Sequence, residues 1–313
     1  MSERQVVSIV VPAFNEEAVI EQSYRRLKAV GESLAPLDYE LIMVDDGSRD
    51  ATWARLQQLA AADRRLRVLR FSRNFGHQVA ITAGIDHARG DAVVVIDADL
   101  QDPPEVIPEM VAQWRAGYDV VYGVRRSRKG EGPVKLATAA LFYRLLNRVT
   151  SVEIPVDVGD FRLLSRRAAD QLRAMREKDR FVRGLVAWIG MRQTGVSYVR
   201  EARFAGETKY PWRKMLRFAI DGMTSFSTLP LRFATWLGFL ASLLAFAYLA
   251  TVFVQKLLGI TVQGWATIMV AMLFLGGVQL VCLGIIGEYI GRIFNEIKQR
   301  PLYIIDASLN QPN

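Results

Sequence analysis

The chain has 313 residues, 51% of them hydrophobic, and 40 Lys and Arg against 32 Asp and Glu give it a net charge of +8. Its one cysteine, Cys282, excludes a disulfide framework or a thiolate metal site. The basic balance points to phosphates or anionic lipid head groups and away from nucleic acid, because the basic residues cluster near two apolar C-terminal runs and no nucleic-acid motif occurs.

At this length the chain holds one large domain with an appendage, or two domains. Met1-Ser2-Glu3-Arg4-Gln5 opens without the basic and apolar regions of a signal peptide, so the N-terminal part is expected in the cytosol. Strand-like apolar runs follow at 5–11, 39–44, 66–71 and 92–96, with helix-like segments at 16–34, 51–62 and 76–88 between them. This alternation predicts a parallel sheet with helices on both faces, which binds ligands at the carboxyl ends of its strands.

Polar residues collect at those ends. They are Pro12-Ala13-Phe14-Asn15-Glu16-Glu17, then Asp45-Asp46-Gly47-Ser48, then Asp97-Ala98-Asp99. The first turn lacks Gly-x-Gly-x-x-Gly and no P-loop occurs, which argues against a dinucleotide fold. A nucleotide bound here needs carboxylates, metal and backbone groups. Closely spaced carboxylates repel and lose solvation, and a hard divalent cation relieves both. Asp97, Asp99 and the Gln101 carbonyl are spaced to turn oxygens toward one point. The competing reading is a solvated loop, with Asp102-Pro103-Pro104-Glu105 as an acidic cap for the next helix.

Residues 123–133 are Gly-rich and basic, a mobile loop by composition. Arg125, Arg126, Arg128 and Lys129 favour a phosphate-recognising lid over a solvated surface loop. Residues 135–149 and 215–227 read as amphipathic helices, the second either in the membrane interface or packed on the core. Uncharged runs of about 20 residues at 235–254 and about 22 at 266–287 are long enough to cross a bilayer. Arg232 before them, and Arg292, Lys298 and Arg300 after them, against Lys256 between, put both chain ends in the cytoplasm. Gly276, Gly277, Gly284, Gly287 and Gly291 form a small-residue face that fits either a homo-oligomer or packing of the two spans. Glu288 reads as an interfacial anchor, and His87 has no assigned role.

The ordered set resembles the GT-A family 2 glycosyltransferases, and within them the polyprenyl-phosphate sugar transferases such as dolichol-phosphate mannosyltransferase and the bactoprenol glucosyltransferases. It comprises Val11–Glu17, Val44–Asp50, Arg73-Asn74-Phe75-Gly76-His77-Gln78, Asp97–Glu105, Gly159-Asp160-Phe161-Arg162-Leu163 and Arg203-Phe204-Ala205-Gly206-Glu207-Thr208-Lys209-Tyr210. The 123–128 loop and the two spans look most like the bactoprenol branch.

The resemblance implies a GT-A α/β catalytic domain over 1–210, an amphipathic segment 211–230, a membrane hairpin 231–291 and a cytosolic tail 292–313, in the bacterial inner membrane. It implies that Pro12, Phe14, Glu16 and Asp46 line the base and ribose pocket, with Asp45, Ser48 and Ala98 beside it. Asp97, Asp99 and Gln101 would face Mg²⁺ or Mn²⁺, and Arg203 and Lys209 the leaving diphosphate. Arg125 or Arg126 would hold the acceptor phosphate, and Asp160, with Asp99, would be catalytic. An acceptor phosphate oxygen is already anionic, so Asp160 is read as orienting rather than as an obligatory base. His77 is read as hydrogen-bonding a loop. The implied reaction is transfer from a UDP-sugar, glucose by the nearest branch, to polyprenyl phosphate with inversion. Mannose, a modified arabinose or N-acetylglucosamine as the sugar stay open. So do a processive synthase, whose Gln-x-x-Arg-Trp is absent here, and a non-catalytic scaffold.

Overall fold

A computed structural model describes residues 4–125, 158–178, 180–200, 229–259 and 264–311. The chain divides into two compact units, one of residues 1–147, 152–216 and 300–313, the other of residues 148–151 and 217–299.

In the first unit an eight-stranded sheet has the order β7-β5-β6-β4-β1-β2-β3-β8. β1 (Val6–Ala13), β2 (Asp38–Asp45), β3 (Leu66–Phe71) and β4 (Ala92–Val95) form a parallel block. Their cores are runs such as Ile9-Val10-Val11 and Ala92-Val93-Val94-Val95, buried on both faces as parallel strands require. Helices α1 (Ile20–Ser33), α2 (Thr52–Ala62) and α3 (His77–His87) connect them. α1 buries Ile20, Tyr24, Leu27 and Val30, a helical stripe in which each large side chain contributes about 1.5–3 kcal/mol. α3 lies unusually close to β1, since a Cβ at Gly84 would meet Val10 Cγ1 at 2.0 Å. That approach brings the N-terminus of α3 over the carboxyl ends of the strands.

A short 3₁₀ turn (Pro104–Val106) and α4 (Ile107–Arg115) lead to β5 (Val120–Arg125). β6 (Val158–Ser165) runs antiparallel between β4 and β5, and the sheet is therefore mixed although mostly parallel. The register pairs Val95 with Arg162, and two residues further on this sets Asp97 level with Asp160. α5 (Arg166–Ala174), capped by Ser165 Oγ, α6 (Val182–Ile189) and β7 (Gln193–Tyr198) complete this side.

Two expectations need correction. α1 starts at Ile20 rather than at 16, because the backbone N–H groups of Asn15, Glu16 and Glu17 are taken by Ser48, Thr52 and Asp50 side chains. Residues 292–313 are not one tail: helix continues to Ile297, and Ile305–Leu309 form β8, antiparallel to β3 at the sheet edge. The apolar alternation there is too short to announce a strand, and its partner is remote in sequence.

In the second unit α7 (Leu229–Leu257) and α8 (Trp265–Ile297) run beyond the uncharged stretches, because helix persists past the charges that bound them. Pro230–Leu257 and Thr267–Ile297 each contain an 18-residue stretch, of mean hydropathy 2.2 and 2.4, and are long and apolar enough to cross a membrane. Cys282 Sγ lies 3.5 Å from the Ala234 carbonyl, joining the two helices. Among the described residues a Cβ at any of the five α8 glycines would meet no atom within 4 Å, so that small-residue face is not what seats α8 on α7. The basic loop beyond Arg125, the expected helices at 135–149 and 215–227, and Arg126, Arg203 and Lys209 lie outside the described residues.

Candidate active site

The β1–α1 and β2–α2 turns are laced together. Ser48 Oγ accepts from Asn15 N (2.9 Å), Thr52 Oγ1 from Glu16 N (2.8 Å), and Asp50 Oδ2 from Glu17 N (3.2 Å). In return Asn15 Oδ1 accepts from Arg49 N and Glu17 Oε2 from Ala51 N, both at 2.9 Å. Asp45, fully buried, accepts from Ser48 N at 2.9 Å and faces Arg70 at 3.6 Å. Burial raises its pKa, with Ser48 and Arg70 working against the rise. Asp45 and Ser48 are therefore supports behind the site, not part of its wall.

Asp46 fixes a third turn. Its Oδ1 accepts from Phe75 N (2.7 Å), and its Oδ2 from Gly76 N and Asn74 Nδ2 (both 2.9 Å). Gly76 has φ +106 and ψ 152, a region open essentially to glycine alone. These turns enclose a cavity of about 410 Å³ lined by Pro12, Ala13, Phe14, Glu16, Asp46, Asn74, Gly76, His77, Ala80, Asp97, Ala98 and Asp99. Phe14 is 42% exposed at its wall, an aromatic face left open.

A charged relay runs from the cavity wall into the protein. His77 Nε2 is 3.4 Å from Asp97 Oδ1 and 3.3 Å from Asp160 Oδ2. Arg183 donates to Asp160 twice, Nε to Oδ1 at 2.9 Å and Nη2 to Oδ2 at 3.1 Å. Arg162 Nη2 holds the Gly159 carbonyl at 2.8 Å. Burial pushes Asp97 up to about 6, with the charges of Asp160, Asp102 and Asp99 adding to the rise and His77 opposing it. Burial works the same way on Asp160, but Arg183, His77 and Arg162 outweigh it and hold that carboxyl well below the usual range. Partial burial lowers the His77 pKa, and the Asp160 hydrogen bond with the Asp97 charge more than restores it, so it ends raised.

Residues 8–173 match glycosyl transferase family 2, and residues 229–293 match the GtrB C-terminal hairpin. The chain belongs to glycosyl transferase family 2. It is 51% identical to an uncharacterized glycosyltransferase of Bacillus subtilis, YkcC, over 100% of this chain and 97% of that one. It is 49% identical to another of Synechocystis, sll0501, over 96% and 94%. It is 44% identical to the SfII prophage-derived bactoprenol glucosyl transferase of Shigella flexneri, over 96% and 98%.

The residues that the family resemblance singled out separate into wall and support. Pro12, Phe14, Glu16, Asp46, Asp97, Ala98 and Asp99 line the glycosyltransferase cavity, whereas Asp45, Ser48 and Asp160 stand behind it. Gln101 is not on the wall, and its backbone N–H donates to Asp99 Oδ1 at 3.1 Å. Asp102, a solvated cap only on the competing reading, is 1% exposed and accepts from Tyr198 Oη. The φ of +58 at Leu100 turns the chain so that Asp102 faces inward. Arg125 is drawn toward it: Nη2 lies 3.6 Å from Asp102 Oδ2, and Nε donates to Tyr198 Oη at 3.2 Å. It therefore packs into the protein and is not presented by a mobile loop, because the buried carboxylate calls for a counter-charge. His77, Gln78 and Arg183 were missed as site residues. His77 also lies on the cavity wall, and the contacts that tie all three to Asp160 depend on the β4–β6 register.

Proposed function

We propose that this family 2 glycosyltransferase moves glucose from UDP-glucose to a polyprenyl phosphate, with inversion and with Mg²⁺ or Mn²⁺. The observation that carries the reading is similarity at 44% identity, across catalytic unit and hairpin together, to bactoprenol glucosyl transferase.

The donor set suits a hard cation. Asp97 and Asp99 offer carboxylate oxygens on the cavity wall, and Asp97 Oδ1, which faces His77 Nε2 at 3.4 Å, is a buried oxygen that accepts no hydrogen bond among the described residues. Asp97 and Asp99 would hold the ion. When bound, the cation offsets the charge that builds on the departing diphosphate. The rest falls to the chain's own residues. Phe14 presents a face for the base, and Glu16 presents acceptors for ribose hydroxyls. Asp46 keeps the Asn74–Gly76 wall in place. Arg203 and Lys209 would neutralise the leaving diphosphate, and Arg126 would meet the acceptor phosphate, since Arg125 is engaged with Asp102 and Tyr198. That phosphate arrives ionised, so no strong base is needed, and Asp160 acts by holding neighbouring groups.

Lipid acceptor and hairpin belong together, since a tethered enzyme meets a bilayer-bound substrate at high local concentration. β8, which follows the second helix, pairs with β3, which precedes the first. Two crossings would return the chain to the side it left, and the basic flanks make that side the cytoplasm. An impermeant thiol reagent applied to whole cells should label Leu258→Cys, between the helices, and not a cysteine placed at Asp306. The reverse pattern overturns the orientation.

Transfer is tested with radiolabelled UDP- and GDP-sugars and undecaprenyl phosphate in detergent, with Mg²⁺ or Mn²⁺ or chelator. A lipid-linked, chelator-sensitive product from UDP-glucose is expected. Product from another donor only would replace the sugar, and nucleotide release without lipid product would refute the acceptor.

A further inference from the structure

Asp160 is enclosed. It is 5% exposed, and its oxygens accept from Arg183 twice and from Gln78 Nε2 at 3.2 Å. Gln78 Oε1 in turn accepts from Val182 N at 3.1 Å, which pins α3 to the start of α6 beside Arg183. A carboxylate held this way does not reach a ligand in the cavity, and its influence there passes through His77. The imidazole Nε2 faces both carboxylates, Asp160 Oδ2 at 3.3 Å and Asp97 Oδ1 at 3.4 Å, so that one N–H is shared between them, and the side chain is 45% exposed on the cavity wall. It is not needed to hold the 74–76 turn, because Asp46 already binds that backbone.

We propose that His77 is a positioning residue which, backed by the Asp160–Arg183 pair, holds the Asp97 carboxylate in place for a divalent cation and the diphosphate of a nucleotide-sugar. The inference rests on reading the cavity as a nucleotide-sugar site, and it gives Asp160 an indirect role. Asp97 comes from the end of β4 and Asp160 from the start of β6, so the imidazole also bridges two neighbouring strands.

The test is Mn²⁺ titration of the full-length protein in detergent with UDP present, free Mn²⁺ being followed by electron paramagnetic resonance. His77→Ala should weaken Mn²⁺ binding about 10-fold, the lower end for loss of a group that orients a metal ligand. His77→Gln, which keeps a hydrogen-bond donor, should recover part of that loss. Asp160→Asn should weaken binding comparably, and the double variant no more than the worse single one, as for residues acting in series. If thermal melts show that Asp160→Asn does not fold, the Ala and Gln variants of His77 decide alone. Wild-type affinity in His77→Ala, no recovery with Gln, or additive losses would overturn the proposal. So would a wild-type protein that binds UDP equally with Mn²⁺ and with chelator. A protein that binds Mn²⁺ and UDP but glucosylates no lipid refutes the acceptor assignment alone, and the titration still decides the role of His77.

Discussion

Asp97 and Asp160 stand level on neighbouring strands, and their surroundings drive them in opposite directions. The Asp97 pKa of about 6 lies above the unfolded value of about 3.9, so between these the native state binds more protons than the unfolded one. Stability therefore falls as pH rises from 4 to 6, and the deficit persists above. Asp97→Asn should raise the melting temperature of metal-free protein at pH 7.5, by about 1–3 kcal/mol of stability, and the gain should fade near pH 4. Asp160 has the opposite sign: its depressed pKa gives stability present above about pH 4 and lost as pH falls through the folded value. Asp160→Asn removes the carboxylate that faces buried Arg162 and partly buried Arg183 and should cost about 3–5 kcal/mol at neutral pH. Melts of both variants at pH 7.5 and 4.5 check the pair, and two shifts of the same sign at pH 7.5 would refute it. Phe14 offers a stability-neutral contrast. Its exposed ring should contribute about 1 kcal/mol of stacking, so Phe14→Ala should raise the KM for the UDP-sugar roughly fivefold with an unchanged melt.

At the scale of elements, the turns decide what the side chains can do. Gly76 is the sharpest case, since a Cβ there would meet nothing within 4 Å among the described residues and the penalty of Gly76→Ala is backbone strain of about 1–3 kcal/mol. The three bonds from Asp46 loosen with it, and weaker UDP binding by calorimetry, out of proportion to the melting shift, is the expected result. The strands and helices of the first half were legible because unbroken β-branched runs and amphipathic stripes alternate there, and the polar residues at strand ends announced the cavity wall. The charged relay was not legible. Asp97, His77, Asp160 and Arg183 come from four elements, and only the antiparallel insertion of β6 sets Asp160 beside Asp97. A sequence shows which residues flank a strand, but not which remote strand it pairs with. The burial of Asp102 was not legible for a related reason: a carboxylate before two prolines fits a helix cap equally well until the left-handed Leu100 turns it inward.

For the molecule as a whole, the order of the chain matters more than any one contact. The catalytic sheet is finished only after both apolar helices have been made, because its edge strand is β8. That edge is firmly held. Tyr303 stacks on Phe71 with ring centres 5.2 Å apart and donates to Asp86 at 2.9 Å. Asn310 Nδ2 lies within hydrogen-bond reach of the carbonyls of Ala60 (2.7 Å), Leu66 (2.9 Å) and Asp63 (3.2 Å), and Arg67 donates to Gln311 at 2.7 Å. A chain ended at Thr228 therefore lacks more than its membrane helices: it leaves β3 as an open edge, a template for aggregation. Such a chain should melt lower than the full protein and self-associate. A synthetic peptide of residues 302–311 added in trans should restore the edge and raise the melting temperature with peptide concentration, as mass action requires for a ligand of the native state. The same peptide carrying Asn310→Ala should bind more weakly, by about 1–2 kcal/mol for the lost hydrogen bonds. If the peptide causes no shift at any concentration, β8 does not stabilise the sheet, and the instability of the truncated chain would have to come from the missing helices.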